Sequence, residues 1–230
     1  MGIPREVTNF FNYILDNIIP PILRDQYWFM APCMKLILGP KYKYYMEFKE
    51  KASVLTEKQI NEYYILLSDT FIKRNTDLNK MSVDFILKNI KGNSVIDVGC
   101  GRGYLTKQIL QNNNDKLIYG YDILPPDKFD GITYESGTVL SMPYSNNQFD
   151  TVICAHTLEH IYDINKAITE LIRITKDRLI IVVPRQREYK YTFDLHIHFF
   201  PYKYNLGKLI NLTNANIYNF KNDFIYVVDF

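Results

Sequence analysis

Apolar and polar residues change rhythm near residue 94. Before that point apolar residues recur at helical spacing, and after it short apolar runs alternate with helical patterns. Phe10, Phe11, Ile14, Leu15, Ile18 and Ile19 trace one helical stripe. Pro20-Pro21 ends it, because proline lacks the amide donor and disfavours helix just before it. Tyr27, Trp28, Phe29 and Met30 follow, then Met34, Leu36, Ile37 and Leu38 beyond Pro32. Thr56-Glu57-Lys58-Gln59 has the form of a capping box and predicts a helix start. Ile60, Tyr63, Tyr64, Leu67 and Phe71 form that helix's apolar face. A short helix is expected over Met81–Ile90, ending near Gly92.

From Ser94 onward, strands are expected at Val95–Val98, Leu117–Tyr121, Thr133–Glu135, Thr151–Ala155 and Leu179–Val183. Strands alternating with helical patterns predict a parallel α/β sheet. The helix from Asp163 to Thr175 has a plausible N-cap in Asp163, with Ile164, Ala167, Ile168, Leu171 and Ile172 on one face. Another helix is expected around Tyr204–Leu212. Ile217–Phe220 and Phe224–Val228, parted by Lys221-Asn222-Asp223, read as a hairpin. The expected division is a helical N-terminal cover over residues 1–92 and a sheet domain over residues 93–230.

Composition narrows the class. A chain of 230 residues, 47% hydrophobic and 23% charged, suits a soluble globular protein. A net charge of +2 argues against a dedicated nucleic-acid binder, so no nucleic-acid partner is expected. Cys33, Cys100 and Cys154 make an odd count with no paired C-x-x-C, which reads as reduced thiols in a cytoplasmic protein. Apolar stretches are broken by proline or charge short of ~18 residues, so no transmembrane helix is expected. No signal peptide is read.

The chemistry gathers at Val95-Ile96-Asp97-Val98-Gly99-Cys100-Gly101-Arg102-Gly103. A strand, a glycine turn and a helix N-terminus make a nucleotide cradle at the carboxyl edge of a parallel sheet. Position 104 is Tyr, so the spacing departs from the G-x-G-x-x-G of dinucleotide sites. Asp97 suits an ammonium group and would repel a phosphate. The preferred ligand is therefore a nucleoside carrying an amino acid. Tyr119-Gly120-Tyr121-Asp122-Ile123 ends a second strand in a carboxylate, 25 positions after Asp97. A carboxylate there accepts both ribose hydroxyls, and an NAD enzyme would use it equally.

These motifs, with the stretch from Gly137 to Ile153 and with Ala155-His156-Thr157-Leu158-Glu159-His160-Ile161, resemble the class I S-adenosylmethionine-dependent methyltransferases. The resemblance is to the small-molecule, methyltransferase type 11-like branch and spans about residues 94 to 230. It implies a Rossmann-like, mostly parallel seven-stranded sheet with a terminal antiparallel hairpin, and S-adenosylmethionine (S-adenosyl-L-methionine) as cofactor. It further implies that Asp97, Gly99, Cys100 and Gly101 hold the methionine part, Asp122 the ribose, and Ile123 with Val139 the adenine. Thr138 stands where many relatives carry an acidic residue for the adenine amino group. Ala155 closes the fourth strand beside the cofactor. Lys176-Asp177-Arg178 replaces the family's usual glycine turn with a shortened one. Arg74 either reaches the cofactor carboxylate or is solvated. In such enzymes helices ahead of the first strand commonly form part of the cover. Here they read as plain packing, a lid over an apolar substrate, or a surface that touches membrane.

Tyr191-Thr192-Phe193-Asp194-Leu195-His196-Ile197-His198-Phe199 alternates strictly. An extended chain would set Thr192, Asp194, His196 and His198 on one face. The two histidines then suit a general base, a metal site with a carboxylate, or a merely hydrogen-bonded polar face; no metal is assigned. His156 follows the fourth strand and falls near the methyl group, while His160 reads as structural. His156, His196 and His198 are thus the catalytic candidates. The run Arg185–Lys190 suits an anionic substrate or a solvated loop. The reading that follows is methyl transfer to an oxygen, nitrogen or carbon of a small-molecule acceptor, and the aromatic N-terminus hints at an acceptor with an apolar part. A non-catalytic binder of the same cofactor and an NAD-dependent oxidoreductase are the alternatives.

Overall fold

Residues 5–52, 54–67 and 75–230 are described by a computed structural model. Phe71 and Arg74, singled out above, lie outside the described residues. The chain packs as two units, one built from the N-terminal helices with residues 186–199, the other from residues 75–185 and 200–230. The expected boundary at residue 92 differs from this division in two places, and packing explains both.

The helical unit contains α1 (Arg5–Asn17), α2 (Pro21–Arg24), α3 (Tyr27–Leu38), α4 (Tyr42–Ala52) and α5 (Glu57–Leu67). Pro20-Pro21 parts α1 from α2, and Pro21 opens α2 where an amide would go unbonded anyway. The capping box of α5 forms as expected: the Thr56 amide donates to Gln59 Oε1 at 2.9 Å, and the Gln59 amide to Thr56 Oγ1 at 3.4 Å. Leu15, Met30, Met34, Tyr45, Phe48 and Leu67 bury together with Tyr189, Tyr191 and Leu195. Those last three side chains draw residues 186–199 out of the sheet domain expected for them. The Tyr64 hydroxyl donates to the Leu195 carbonyl, and the Lys49 ammonium to the Tyr189 carbonyl at 2.8 Å.

Residues 191–199 do not form the two-faced extended strand that their alternation suggests. Burial comes in adjacent pairs instead, with Tyr191 and Thr192 buried, Phe193 and Asp194 half-buried, Leu195 and His196 buried. The Thr192 hydroxyl donates to the Asp194 carbonyl at 2.6 Å. Such a local side-chain bond competes with extended pairing and bends the chain.

The sheet unit runs α6 (Lys80–Lys88), β1 (Ser94–Val98), α7 (Tyr104–Asn112), β2 (Leu117–Asp122), β3 (Ile132–Ser136), β4 (Phe149–Ala155), α8 (Ile164–Ile174), β5 (Thr175–Pro184), α9 (Lys203–Ile210), β6 (Asn216–Phe220) and β7 (Asp223–Asp229). Strand order is β3-β2-β1-β4-β5-β7-β6, with β7 antiparallel to both β5 and β6. This is the mostly parallel, Rossmann-like seven-stranded sheet with the terminal antiparallel hairpin that the resemblance implies. Alternation along each strand makes two cores. Ile96, Val98, Val152, Ile181 and Tyr226 face one side, and Val95, Ile118, Ile180 and Ile225 the other. α6 belongs here because Val83 and Ile86 join that second core. α8 presents Ile164, Ala167, Ile168, Leu171 and Ile174, and each leucine or isoleucine buried this way contributes about 1.5–3 kcal/mol. Asp163 caps α8 as expected, accepting from the Lys166 amide at 3.1 Å.

The shortened turn expected at Lys176-Asp177-Arg178 is absent. α8 runs directly into β5, whose first residue is Thr175. The Thr175 hydroxyl donates to the Leu171 carbonyl at 2.6 Å and closes the helix. Lys176 and Arg178 are then held along the strand by Asp150 (2.6 Å) and Asp229 (2.7 Å).

Candidate functional site

The order of strands reverses between β1 and β4, and ligands of open α/β sheets bind at the carboxyl edge of such a switch point. The glycine loop leaves β1 there. The Gly99 amide donates to the Tyr121 carbonyl at 2.7 Å, and the Gly103 amide to the Cys100 carbonyl at 2.9 Å. Both glycines have positive φ, and neither position tolerates a side chain. A Cβ on Gly99 would lie 2.0 Å from Thr157 Oγ1, and one on Gly103 2.3 Å from the Tyr134 hydroxyl. Gly101 differs: a Cβ there would meet nothing within 4 Å. The outer glycines make room for protein, whereas Gly101 borders open space.

Asp97 is buried on β1, and its Oδ2 has no hydrogen-bond partner among the described residues. Burial, then the neighbouring charge of Asp122, pushes its pKa up to about 7, against a smaller opposing pull from the Thr106 amide. A carboxylate so placed is starved of a cation. The α-ammonium of a bound amino acid supplies one, and a pyrophosphate would add like charge. This orphaned oxygen, with the open space at Gly101, fits the methionine part of S-adenosylmethionine. Asp122 ends β2, accepting from the Gly101 amide at 2.9 Å through Oδ2 and from the Leu124 amide at 2.9 Å through Oδ1. Two backbone donors fix the carboxylate in place and leave further lone-pair sites for a pair of hydroxyls.

On the next side of the cradle, Ile123 is half-buried at the end of β2 and Val139 is packed into the sheet core. The Thr138 hydroxyl accepts from the Leu140 amide at 3.3 Å, so it shapes its own turn. The loop holding Thr138 and Val139 is tied to α8. Glu170 accepts from the Met142 amide at 2.9 Å and from Arg173 at 2.7 Å, and Arg173 donates to the carbonyls of Met142 and Tyr144. Arg173 and the amide hold the Glu170 carboxyl below its ordinary range.

Ala155 closes β4, one step past the Val98–Cys154 pairing with β1. Cys100 and Cys154 are buried, and burial pushes both thiols far up, so neither is a thiolate nucleophile near neutral pH. His156 comes next, with φ of +52°, a left-handed conformation rare outside glycine. Its Nε2 lies 3.1 Å from Asp223 Oδ1 at the start of β7. Asp223 is fully buried, and its Oδ2 accepts from Ser82 Oγ (2.6 Å), Asn79 Nδ2 (2.6 Å) and the Asn79 amide (3.3 Å). With Nε2–H donating to the carboxylate, Nδ1 is the acceptor nitrogen of the ring.

His196 and His198 fold with the helical unit, His196 buried with Nδ1 2.7 Å from Gln186 Oε1 and His198 half-buried. Residues the sequence did not single out are Asp223, Asn79, Ser82 and Thr157. Asp223 sits in what reads as turn chemistry beside Lys221 and Asn222, which carries no signal of a buried partner for His156.

Comparison with known proteins agrees with this geometry. Residues 96–183 match the family model of a methyltransferase domain. An uncharacterized methyltransferase of Anoxybacillus flavithermus is 33% identical over 81 residues, covering 33% of this chain and 37% of its own length. A probable methyltransferase, ltbC, of Aspergillus luteorubrus is 28% identical over 163 residues, covering 62% of this chain and 54% of its own. The chain thus spans about half or less of the length of these curated relatives. A SAM-dependent methyltransferase structure from Aquifex aeolicus shares the fold, with a TM-score of 0.50 at 15% identity over 64% of this chain and 88% of that one. Residues 96–183, which hold the glycine cradle and the strands on either side of the switch point, are thus similar to the methyltransferase domain family, and the sheet has the fold of such an enzyme.

Proposed function

We propose that the protein transfers a methyl group from S-adenosylmethionine to an oxygen, nitrogen or carbon of a small-molecule acceptor. The observation that carries this is the buried, unpaired Oδ2 of Asp97 beside the open flank of Gly101. When bound, the cofactor supplies an already activated methyl group as a sulfonium. The chain's part is to bind and orient. In this reading Asp97, Gly99, Cys100 and Gly101 grip the methionine part, Asp97 by its carboxylate and the loop by its backbone. Asp122 accepts the ribose hydroxyls, Ile123 and Val139 flank the adenine with Thr138 beside it, and Ala155 borders the cofactor at the end of β4. Alignment of acceptor and methyl group is the largest contribution expected of the protein.

Where the acceptor carries a proton, His156 takes it at Nδ1, steadied from behind by Asp223. A backbone held in the left-handed region at the carboxyl edge of β4 is the kind of local strain found at functional positions. That observation favours an enzyme over a mere binder of the cofactor. His196 and His198 remain candidate bases on histidine chemistry alone. The aromatic-rich N-terminal sequence supports an acceptor with an apolar part. Three cysteines free of disulfides support a reducing compartment, the cytoplasm.

Calorimetric titration with S-adenosylhomocysteine and with NAD tests the reading. Binding of S-adenosylhomocysteine alone is expected. Asp122→Ala should weaken it by about 1.5–3 kcal/mol, a factor of roughly ten to a hundred, through lost bonds to a charged acceptor. Binding of NAD without S-adenosylhomocysteine would overturn the proposal and promote the oxidoreductase.

A further inference from the structure

We propose that the outer face of α3 rests on the surface of an anionic lipid bilayer. α3 is apolar on both sides. Met30, Ala31 and Met34 point into the helical unit's own core. The opposite arc, by helical spacing, carries Trp28, Pro32, Lys35 and Leu36, with Trp28 65% and Leu36 88% exposed. Ile22 on the neighbouring α2 is 75% exposed. A helix that is hydrophobic all round is normally covered all round.

Charge selects the occupant. From Tyr27 to Met46 the chain has three lysines, Lys35, Lys41 and Lys43, and no acidic residue. The acids that follow are engaged on their own account, Glu47 with Lys51 and Glu50 with Lys190. The stretch is therefore apolar and basic together, with Lys35 on the outer arc of α3 itself, Lys43 exposed on α4 and Lys41 bonded to the Leu66 carbonyl at 3.1 Å. Centres of protein–protein interfaces are depleted of lysine, because burying the ammonium strips its water. At a bilayer the stem of Lys35 lies along the apolar face while its ammonium reaches the lipid phosphates. Tryptophan and tyrosine favour the same depth. No helix among the described residues is long and apolar enough to cross a membrane, so the contact lies on the surface.

Trp28 is the sole tryptophan and reports directly on the face. The full chain is mixed with vesicles of phosphatidylcholine, alone or with phosphatidylglycerol, and followed by tryptophan emission and flotation. Phosphatidylglycerol vesicles should shift the emission to the blue and carry the protein upward. Neutral vesicles should do so far more weakly. Lys35→Gln and Lys43→Gln should each lower partitioning about fivefold, and Leu36→Glu should abolish flotation. All three positions are exposed, so thermal melts should match wild type. Unchanged emission with anionic vesicles overturns the proposal. So does equal partitioning into neutral ones, or a blue shift that grows with protein concentration in the absence of lipid, which would assign the face to a second copy.

Discussion

Two buried aspartates on the same face of the sheet have opposite surroundings. Asp97, on β1, keeps an oxygen without a partner and titrates near neutrality. Asp223, opening β7, accepts from Ser82, from Asn79 twice, and from His156. Both side chains lose their water on folding. One recovers its hydrogen bonds from protein, and the other is left for a ligand to complete. A buried polar group without a partner costs about 1–3 kcal/mol, more when charged. A fold retains such a group where its completion is the function. In the proposed function, the contrast separates a residue that holds its surroundings together from one that the cofactor completes.

The largest effect expected is from Asp223→Ala. It strands the buried hydroxyl of Ser82, takes one acceptor from the half-buried side chain of Asn79, which keeps its bond to the Phe220 carbonyl at 2.8 Å, and removes the carboxylate beside His156. With Asp223 ionised, loss of one partner of such a buried network costs about 3–5 kcal/mol, readable as a lowered urea midpoint. A midpoint within error of wild type would mean that Asp223 is not the anchor of that cluster.

Asp97→Asn should behave in the opposite way. Removing an unpaired buried charge should leave stability unchanged or raised, while affinity for S-adenosylhomocysteine falls by about tenfold or more. The pH dependence carries the same distinction. The folded-state pKa, near 7, lies above the unfolded value of 3.8, so the folded protein binds the extra proton between them. Stability of the free protein from this group is fully present below pH 3.8 and is lost as pH rises towards 7, with a limiting slope of about 1.4 kcal/mol per pH unit. An ammonium ligand needs the carboxylate ionised, so affinity should rise with pH up to about 7 and then level off. Asp97→Asn should flatten both curves. A wild-type affinity that falls over that range would place the ammonium elsewhere.

Most of the sheet was legible in the sequence because local signals agreed with one another. Val95–Val98 is a buried run ended by glycines, Asp163 is a cap, and Thr56 and Gln59 form a reciprocal box. Where the sequence misled, tertiary packing overrode a local pattern. The alternation of residues 191–199 looks like a strand, but Tyr189, Tyr191 and Leu195 bury among helices and Thr192 bends the chain. The turn expected at residues 176–178 is absent because Asp150 and Asp229 hold Lys176 and Arg178 in the strand. The cradle was legible because its chemistry lies along one stretch, from Asp97 to Gly103. The partner of His156 was not. Asn79, Ser82 and Asp223 are brought to it from opposite ends of the sheet unit, and no local pattern records contacts of that range.

The smallest expected effect sharpens the comparison most. Ser82 is fully buried, and its hydroxyl donates to Asp223 at 2.6 Å. Ser82→Ala removes one donor, leaves little empty volume, and touches neither Asp97 nor the glycine loop. A hydrogen bond to an ionised acceptor contributes about 1.5–3 kcal/mol, and one to a neutral acceptor about 1 kcal/mol. The size of the shift in urea midpoint therefore reports the state of Asp223 itself. A loss near 2 kcal/mol, with S-adenosylhomocysteine affinity unchanged, would identify Asp223 as an ion completed by protein, the counterpart of an Asp97 completed by ligand. A loss of about 1 kcal/mol or less would mean that Asp223 is no ion. His156 would then have no charge behind it, and its part as a base would lose its support.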